Sequence, residues 1–492
     1  MKDKFRTFGA VVSSAILLIL AKGAAALGKI PLCSVLGAEN SGVYYAVFPL
    51  YGLGVSLSSG GITACVSAAT SRLTADGGNL SHSAIKKTAC FTTAATAAAA
   101  ALIFIFAPAI AAAQHIPSAV SLYRVMAPGV VFCGLSSVFK GWLLGNRKFT
   151  LTAASELLTQ VLKSAAGVGG ALLVRGGGAT AAAAAVTLSE CCSFAATAAA
   201  YLRVRKKTSP LSSCRGGDAK DIMIKSIPLT AGGVILPLCS FIESFIVLNL
   251  LGEGAGFTAE YGIKEGAVGS LLSLPVSVFH AMASYFLPYL SGKDARKDFT
   301  AAFGAFLSAG VLFFITYVVM PGSIIQLLFP ALPSDLAEKA ALLLAVGAAS
   351  MPAAALTHAF TALFQSCGKT WLCTAIKSFA AVIRIILVVA LALPVGIRGC
   401  MLAQVVSSAA AAAACIFSAA RLGAFINVRR LVLPFFTAAA YCLSLVVCCR
   451  LFDFSAPFTA IVLPQICAFL CAVVTAGAGI ALSRRVFAKK RN

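Results

Sequence analysis

Apolar stretches long enough to cross a bilayer follow one another along this chain with scarcely a polar pause, and that leaves few folds open to it. At ~20 residues per span, they fall at 8–36, 42–71, 84–113, 119–144, 150–174 and 178–202. They resume at 222–251, 262–290, 299–320, 338–367, 372–393, 397–420, 431–451 and 458–482. The Ala-rich pieces near 94–101, 181–185 and 409–414 stay among the spans, because Ala favours helix and lets helices approach closely. The sequence thus predicts an all-α polytopic membrane protein of about fourteen helices. With 60% hydrophobic and 11% charged residues, it has more apolar surface than a soluble core of this length needs. No connection exceeds about twenty residues, which leaves no room for a soluble catalytic domain, and the chain is not expected to be an enzyme.

The net charge of +23 could point to nucleic acid, but its distribution does not. A nucleic-acid surface needs a contiguous basic face with interleaved aromatics, and none is visible. The basic residues lie instead in alternate short loops: Arg72/Lys86/Lys87, Arg147/Lys148, Arg203–Arg215, Lys293/Arg296/Lys297, Lys369, Arg421/Arg429/Arg430 and Arg484–Arg491. The intervening loops hold Arg175, Lys339 and Arg398 with Glu39, Glu253, Glu260, Asp335 and Asp453. By the positive-inside rule both termini face the cytoplasm, and the cell membrane is the expected location. Lys2, Lys4 and Arg6 before apolar 10–21 resemble a signal peptide, but the apolar run resumes past Lys22, so a retained first helix is expected. Seventeen cysteines include no CxxC, and His82, His115, His280 and His358 are scattered, so neither a metal nor another cofactor is expected.

The longest polar stretch, Arg203–Asp221, reads as a link between two halves. The expected division is an N-terminal lobe at 1–205, a cytoplasmic linker at 206–221, a C-terminal lobe at 222–422, and a helix pair with a basic tail at 423–492. A weak internal echo supports two repeats. Pro128, Gly145 and Lys163 recur as Pro352, Gly368 and Arg384 at nearly the same spacings, with a short basic turn in each.

Within the spans, ionisable residues concentrate at Lys22, Lys29, Arg124, Lys140, Glu156, Lys163, Glu190, Glu243, Lys264, Glu265, Lys377 and Arg384. Lys22 and Lys29 are two helical turns apart, hence on one face. Like charges in mid-span do not stabilise each other, and a cation near the bilayer centre costs ~3 kcal/mol on insertion scales unless it faces a polar interior. Excess buried positive charge favours an anion, best a phosphate or diphosphate that several donors share. Lys22, Lys29, Arg124, Lys140, Lys163, Lys264 and Arg384 are therefore the candidate ligand-binding cations, and Glu156, Glu190 and Glu243 the candidate coupling groups. Lys140 and Lys264 lie near span ends, where snorkelling to the interface is the competing role. Lys264 and Glu265 are adjacent and not expected to pair, whereas Lys163 and Glu156 share a face and invite pairing.

The motifs also resemble a known family. Lys22–Gly23 through Lys29–Ile30–Pro31–Leu32, Gly42–Val43–Tyr44 and Phe48–Pro49–Leu50–Tyr51 carry the likeness first. Ala127–Pro128, Val138–Phe139–Lys140–Gly141–Trp142, Gln160 and Lys163 continue it. Ile227–Pro228–Leu229–Thr230, Ile242–Glu243–Ser244–Phe245, Leu274–Pro275, Phe364–Gln365 and Gly396–Ile397–Arg398–Gly399 complete it. The series is similar to the stage V sporulation protein B-like family, in the polysaccharide exporter branch of the multidrug/oligosaccharidyl-lipid/polysaccharide flippase superfamily. That resemblance implies fourteen helices, as two six-helix lobes in a V plus a final pair, and transport of undecaprenyl-diphosphate-linked sugars to the outer leaflet. It implies a lipid-linked oligosaccharide or diphosphate lipid as partner within the bilayer, and a monomer is expected. It places basic sites at Lys22 and Lys29, lysines at 140 and 163 where arginine is usual, and Glu243 where aspartate is usual. Thr159 stands where the family has an acid, which puts an acidic role there in doubt. The rival reading is a cation-coupled multidrug exporter of the same superfamily, whose site would gather Glu156, Glu190, Glu243 and Glu265.

Overall fold

Hydrocarbon offers no water to backbone N–H and C=O groups, so a spanning segment that pairs its own backbone is a helix. The computed structural model describes residues 2–59, 61–75, 80–174, 177–207, 219–251, 255–290, 299–423 and 439–447. Among them, helices run as α1 (Lys2–Ser59), α2 (Ile62–Ala75), α3 (His82–Ala113), α4 (Ala119–Gly145), α5 (Phe149–Leu173), α6 (Gly178–Lys207), α7 (Ala219–Leu251) and α8 (Ala255–Gly262). A π-helical turn (Ile263–Val268) leads into α9 (Gly269–Tyr289). There follow α10 (Thr300–Val319), α11 (Pro321–Leu328), α12 (Ser334–Ala348), α13 (Met351–Ser366), α14 (Thr370–Val395) and α15 (Ile397–Arg421).

Eight described helices are long and apolar enough to cross a membrane, or nine if α12 and α13, bent by 43° at their junction, form one span. The first expected span and most of the second run on as α1, broken within it only at Gly37, whose φ of 73° and ψ of 178° leave the helix, and the rest of the second is α2. Glycine adopts that backbone without a Cβ penalty, so the expected loop shrinks to one residue. The expected span at 150–174 is α5, where Thr152, Ser155, Glu156, Thr159, Gln160, Lys163 and Ser164 make the sequence too polar to pass as an apolar span. Of the last helix pair and basic tail, only 439–447 lies within the described residues.

The distribution of polarity is that of a membrane protein. Leu173, Leu393, Ile386 and Phe417 stand on outer faces, while Thr88, Thr92, Thr96, Ser193, Thr197, Glu243 and Lys264 are buried. Lipid accepts the former and would not accept the latter, which the bundle interior keeps from it.

The chain forms two compact units, Met1–Gly266 and Ala267–Asn492. In the first, α1 packs along α5, α4 lies on α3 and α6, and α7 and α8 lie against α1. Because α7 and α8 pack on α1, the first compact unit runs on through Gly266, within the π-helical turn. In the second unit, α13 is surrounded by α9, α10, α14 and α15 over a core of Phe279, Phe299, Phe306, Phe360 and Phe364.

The internal echo has a structural counterpart in the turn after α4 and the turn after α13. Arg147 has φ 59° and Gly368 φ 73°. Lys148 (φ −90°, ψ 52°) and Lys369 (φ −96°, ψ 52°) then start α5 and α14 in the same backbone state. Lys148 N–H donates to the Leu143 carbonyl and Lys369 N–H to the Phe364 carbonyl, both at 2.9 Å. The matching residues are displaced by 221 positions: 143 to 364, 148 to 369, and, one helix on, 163 to 384. In each copy a left-handed residue closes the helix and satisfies its last carbonyls.

Candidate functional site

Two close helix crossings assemble the charged residues of the first unit. At Gly28 of α1 a Cβ would overlap the Ser164 side chain of α5, and Ser164 Oγ donates to the Ala24 carbonyl at 3.4 Å. This bare contact brings α1 close enough for Lys29 to come within electrostatic reach of Lys163. Farther along, Gly262 meets Ala38 and Gly42, and Gly266 meets Cys33 and Tyr45, so the π-helical turn lies directly on α1. That second contact sets Glu265 within electrostatic reach of Lys29.

The resulting network can be followed from side chain to side chain. Exposed Lys22 faces Glu156 electrostatically. Lys140 Nζ donates to Glu156 Oε2 at 3.0 Å, and Gln160 Nε2 donates to Glu156 Oε1 at 3.2 Å. Glu190 lies within reach of Lys140, Glu156 and Lys163. Lys163 Nζ sits 4.8 Å above the Phe48 ring, a cation–π contact. At the other end Lys264, 3% exposed, is held 3.5 Å from Glu243 and in contact with Glu265.

The strong cation excess expected from the sequence is corrected by these pairings. Five lysines (22, 29, 140, 163, 264) meet four glutamates (156, 190, 243, 265). A lone charge inside a protein costs several kcal/mol, which is why Lys140 and Lys264 lie against carboxylates. Lys264 and Glu265 do pair, against expectation. The wider π turn separates adjacent side chains by less than the α-helix's ~100°. Glu156 pairs with Lys140, not with Lys163 of its own helix. Lys22, Lys29 and Lys163 take no ion pair within 4.0 Å among the described residues.

Arg124 lies apart: it is exposed near the start of α4, its guanidinium 5.3 Å from the Phe104 ring of α3. Arg384 belongs to the second unit, on α14 with Lys377. The sequence reading passed over Phe48 as a contact of Lys163, although an aromatic in a lysine-bearing bundle is a signal for it. It also set the histidines aside as scattered, yet His280 and His358 have ring centroids 4.2 Å apart. Among the described residues, no three His, Cys, Asp or Glu converge as a metal ion would require.

The first unit thus carries two lysines held by carboxylates, half-buried Lys140 and buried Lys264, and three that take no ion pair within 4.0 Å among the described residues. A family model described as polysaccharide biosynthesis protein matches residues 10–292. Stage V sporulation protein B of Bacillus subtilis (strain 168) is 22% identical over 287 residues, 55% of each chain. The match thus spans about half the length of that curated relative. Among solved structures, the inward closed conformation of the lipid II flippase MurJ superimposes with a TM-score of 0.76 at 13% identity, over 98% of this chain and 100% of that one. An inward-facing multidrug resistance MATE family transporter of the MOP superfamily gives 0.61 at 15% identity, over 83% and 97%. These likenesses concern the fold.

Proposed function

This chain belongs to the polysaccharide biosynthesis protein family, and from that membership we propose that it is a flippase for undecaprenyl-diphosphate-linked sugars, carrying them from the cytoplasmic to the outer leaflet. It acts in the cell membrane with both termini inside, as a transporter and not an enzyme. The observation that supports the reading is that Lys29 and Lys163, within electrostatic reach of each other in mid-span, take no ion pair within 4.0 Å among the described residues, with Glu265 and Glu190 in their wider surroundings. Two ammonium groups within electrostatic reach of one another repel, and a diphosphate that binds both offsets that repulsion and gains charge-assisted hydrogen bonds.

The polar headgroup is sheltered while the polyprenyl tail remains in lipid. Movement of one compact unit against the other exposes the headgroup to each side in turn. Outward passage of a dianion is favoured by an outside-positive potential at ~2.3 kcal/mol per charge per 100 mV, so the potential alone can drive it. The rival reading, cation-coupled multidrug export, draws support from the shared MATE-like fold. It asks the carboxylates to receive an organic cation, yet Glu156, Glu243 and Glu265 each face a lysine at ion-pair distance.

The deciding experiment reconstitutes the full chain in liposomes with a fluorescent diphosphate-linked sugar lipid and follows its exchange between leaflets. Exchange that falls at least about tenfold in K29Q/K163Q, and that an imposed outside-positive potential accelerates, supports the reading. Absence of exchange by the wild-type chain, or loss-free export of organic cations after K22A/K29A, rejects it.

A further inference from the structure

Where α3 begins and α6 ends, a buried tyrosine gathers basic side chains from both helices. Tyr201, 2% exposed, packs its ring edge-on against Trp142 of α4 at 4.8 Å and tilted against Phe139 at 5.1 Å. A phenol enclosed by rings still needs partners for its hydroxyl. His82 Nδ1 lies 2.9 Å from that hydroxyl, with the imidazole stacked on the phenol at 17°. Arg205, one turn farther along α6, hydrogen-bonds the same hydroxyl. The phenol oxygen accepts from the guanidinium and shares one hydrogen bond with the imidazole, so a single atom orients both side chains.

Lys86 follows His82 by one turn and, like Arg205, lies within electrostatic reach of it. His82, Lys86 and Arg205 are all exposed, although the group that fixes two of them is buried. Such an arrangement differs from the loose basic residues of a short loop, whose long side chains a ligand must order at its own cost in entropy. Asp221, at the start of α7 beside the same core, is engaged by Lys225 at 2.6 Å. Further into the two helices the accessible surface turns apolar. Leu202, 51% exposed, lies one turn beneath Arg205, and exposed Cys90 and Ala94 continue the face of Lys86. Cations at one level with accessible apolar side chains just below them match the profile of a phospholipid whose headgroup is anionic.

We propose that His82, Lys86 and Arg205 bind the phosphate of an anionic phospholipid, with Tyr201 as their positioning residue. Arg205 offers the phosphate those N–H groups that its contact with the hydroxyl leaves over, and Lys86 supplies a second charge. When the hydroxyl donates to Nδ1, the hydrogen of the neutral imidazole sits on Nε2, ready for a phosphate oxygen. None of Lys22, Lys29 and Lys163 takes part, so this site exists whether or not the chain is a flippase.

The chain has tryptophan at 142 and 371 alone, and Trp142 touches Tyr201. Trp371→Phe therefore leaves a single emitter beside the site. The full chain carrying it is placed in phosphatidylcholine nanodiscs with a small fraction of chain-brominated phosphatidylglycerol. Quenching of Trp142 is compared with that by chain-brominated phosphatidylcholine at the same fraction. Phosphatidylglycerol is expected to be preferred by at least about tenfold, at ~5-fold for each cation. K86Q/R205Q should abolish the preference. R203Q/K206Q removes two other exposed charges from the same end of α6 and should leave it within about twofold. Tyr201→Phe keeps every charge and should still weaken the preference about three- to fivefold, through the lost hydrogen bonds. If that variant does not fold, Arg205→Lys keeps the charge without the planar fork and is expected to lose as much. Equal quenching by the two lipids, an equal loss in R203Q/K206Q, or full preference in the folded Tyr201→Phe or Arg205→Lys variant overturns the proposal, leaving diffuse attraction only. Displacement of the brominated phosphatidylglycerol by excess inorganic phosphate at matched ionic strength also overturns it, giving the cluster to a soluble anion, whereas indifference to phosphate supports the lipid.

Discussion

Replacing Lys264 by methionine separates a structural lysine from a ligand-binding one. Lys264 and Glu243 side chains are 2% and 8% exposed and 3.5 Å apart, whereas Glu265 is 35% exposed. At an effective dielectric of about 20, a pair at that distance attracts by ~5 kcal/mol, offset in part by the cost of dehydrating both groups. Removing one partner of a buried pair costs about 3–5 kcal/mol, because the other charge stays buried. Glu265 can turn to water and Glu243 cannot, so the lower end, about 3 kcal/mol, is expected for Lys264→Met. At ~2–4 °C per kcal/mol for a large domain, the melting temperature should drop by about 6–12 °C. Glu243→Gln in the same background neutralises the second buried charge and should recover part of the loss. Buried Cys33, Cys373, Cys400 and Cys415 supply the assay, since after the accessible thiols are blocked with a colourless maleimide, a maleimide dye reports exposure of the buried ones on heating in detergent. Lys264→Met melting with the wild type, or a second substitution that deepens the loss, would refute a structural ion pair. Weaker diphosphate binding at unchanged melting temperature would make Lys264 a ligand after all.

The other consequences are smaller or more local. Phe48→Leu removes the ring beneath Lys163 and should weaken binding of a diphosphate lipid by about 2- to 5-fold, measured in nanodiscs, with melting little changed. Gly28→Leu forces α1 away from Ser164, so leaflet exchange should fall by more than about tenfold, and a variant with wild-type exchange would contradict the packing of α1 on α5. At the repeated turns, Arg147→Gly should stabilise and Gly368→Ala destabilise by about 1 kcal/mol each, read from the same melts, because both backbones are left-handed. Arg124→Ala, remote from the network, should leave diphosphate binding within about twofold.

Much of this was legible in the sequence because the bilayer is an exacting solvent. Twenty apolar residues have essentially one backbone solution, so the helices of the described residues fall where hydropathy puts them. Lys22 and Lys29 stood out because two like charges on one mid-span face need a polar surrounding. The pairing of charges was not legible. Glu156 shares a face with Lys163 but reaches Lys140 on another helix, and spacing along one helix carries no information on its neighbour. Lys264 and Glu265 looked unable to meet because an ordinary α-helical turn was assumed, and the π turn follows from its packing on α1. His280 and His358 lie on different helices, so only the packing of α9 on α13 reveals them as a pair.

The most direct measurement compares, at about pH 8, the affinity of the nanodisc-embedded chain for a polyprenyl diphosphate with its affinity for the uncharged polyprenol. Wild type should prefer the diphosphate by about a hundredfold, and K29Q/K163Q should lose most of that preference while melting as before. Equal affinity for the two lipids, or a preference that persists without both ammonium groups, would contradict the claim that these lysines receive the phosphates.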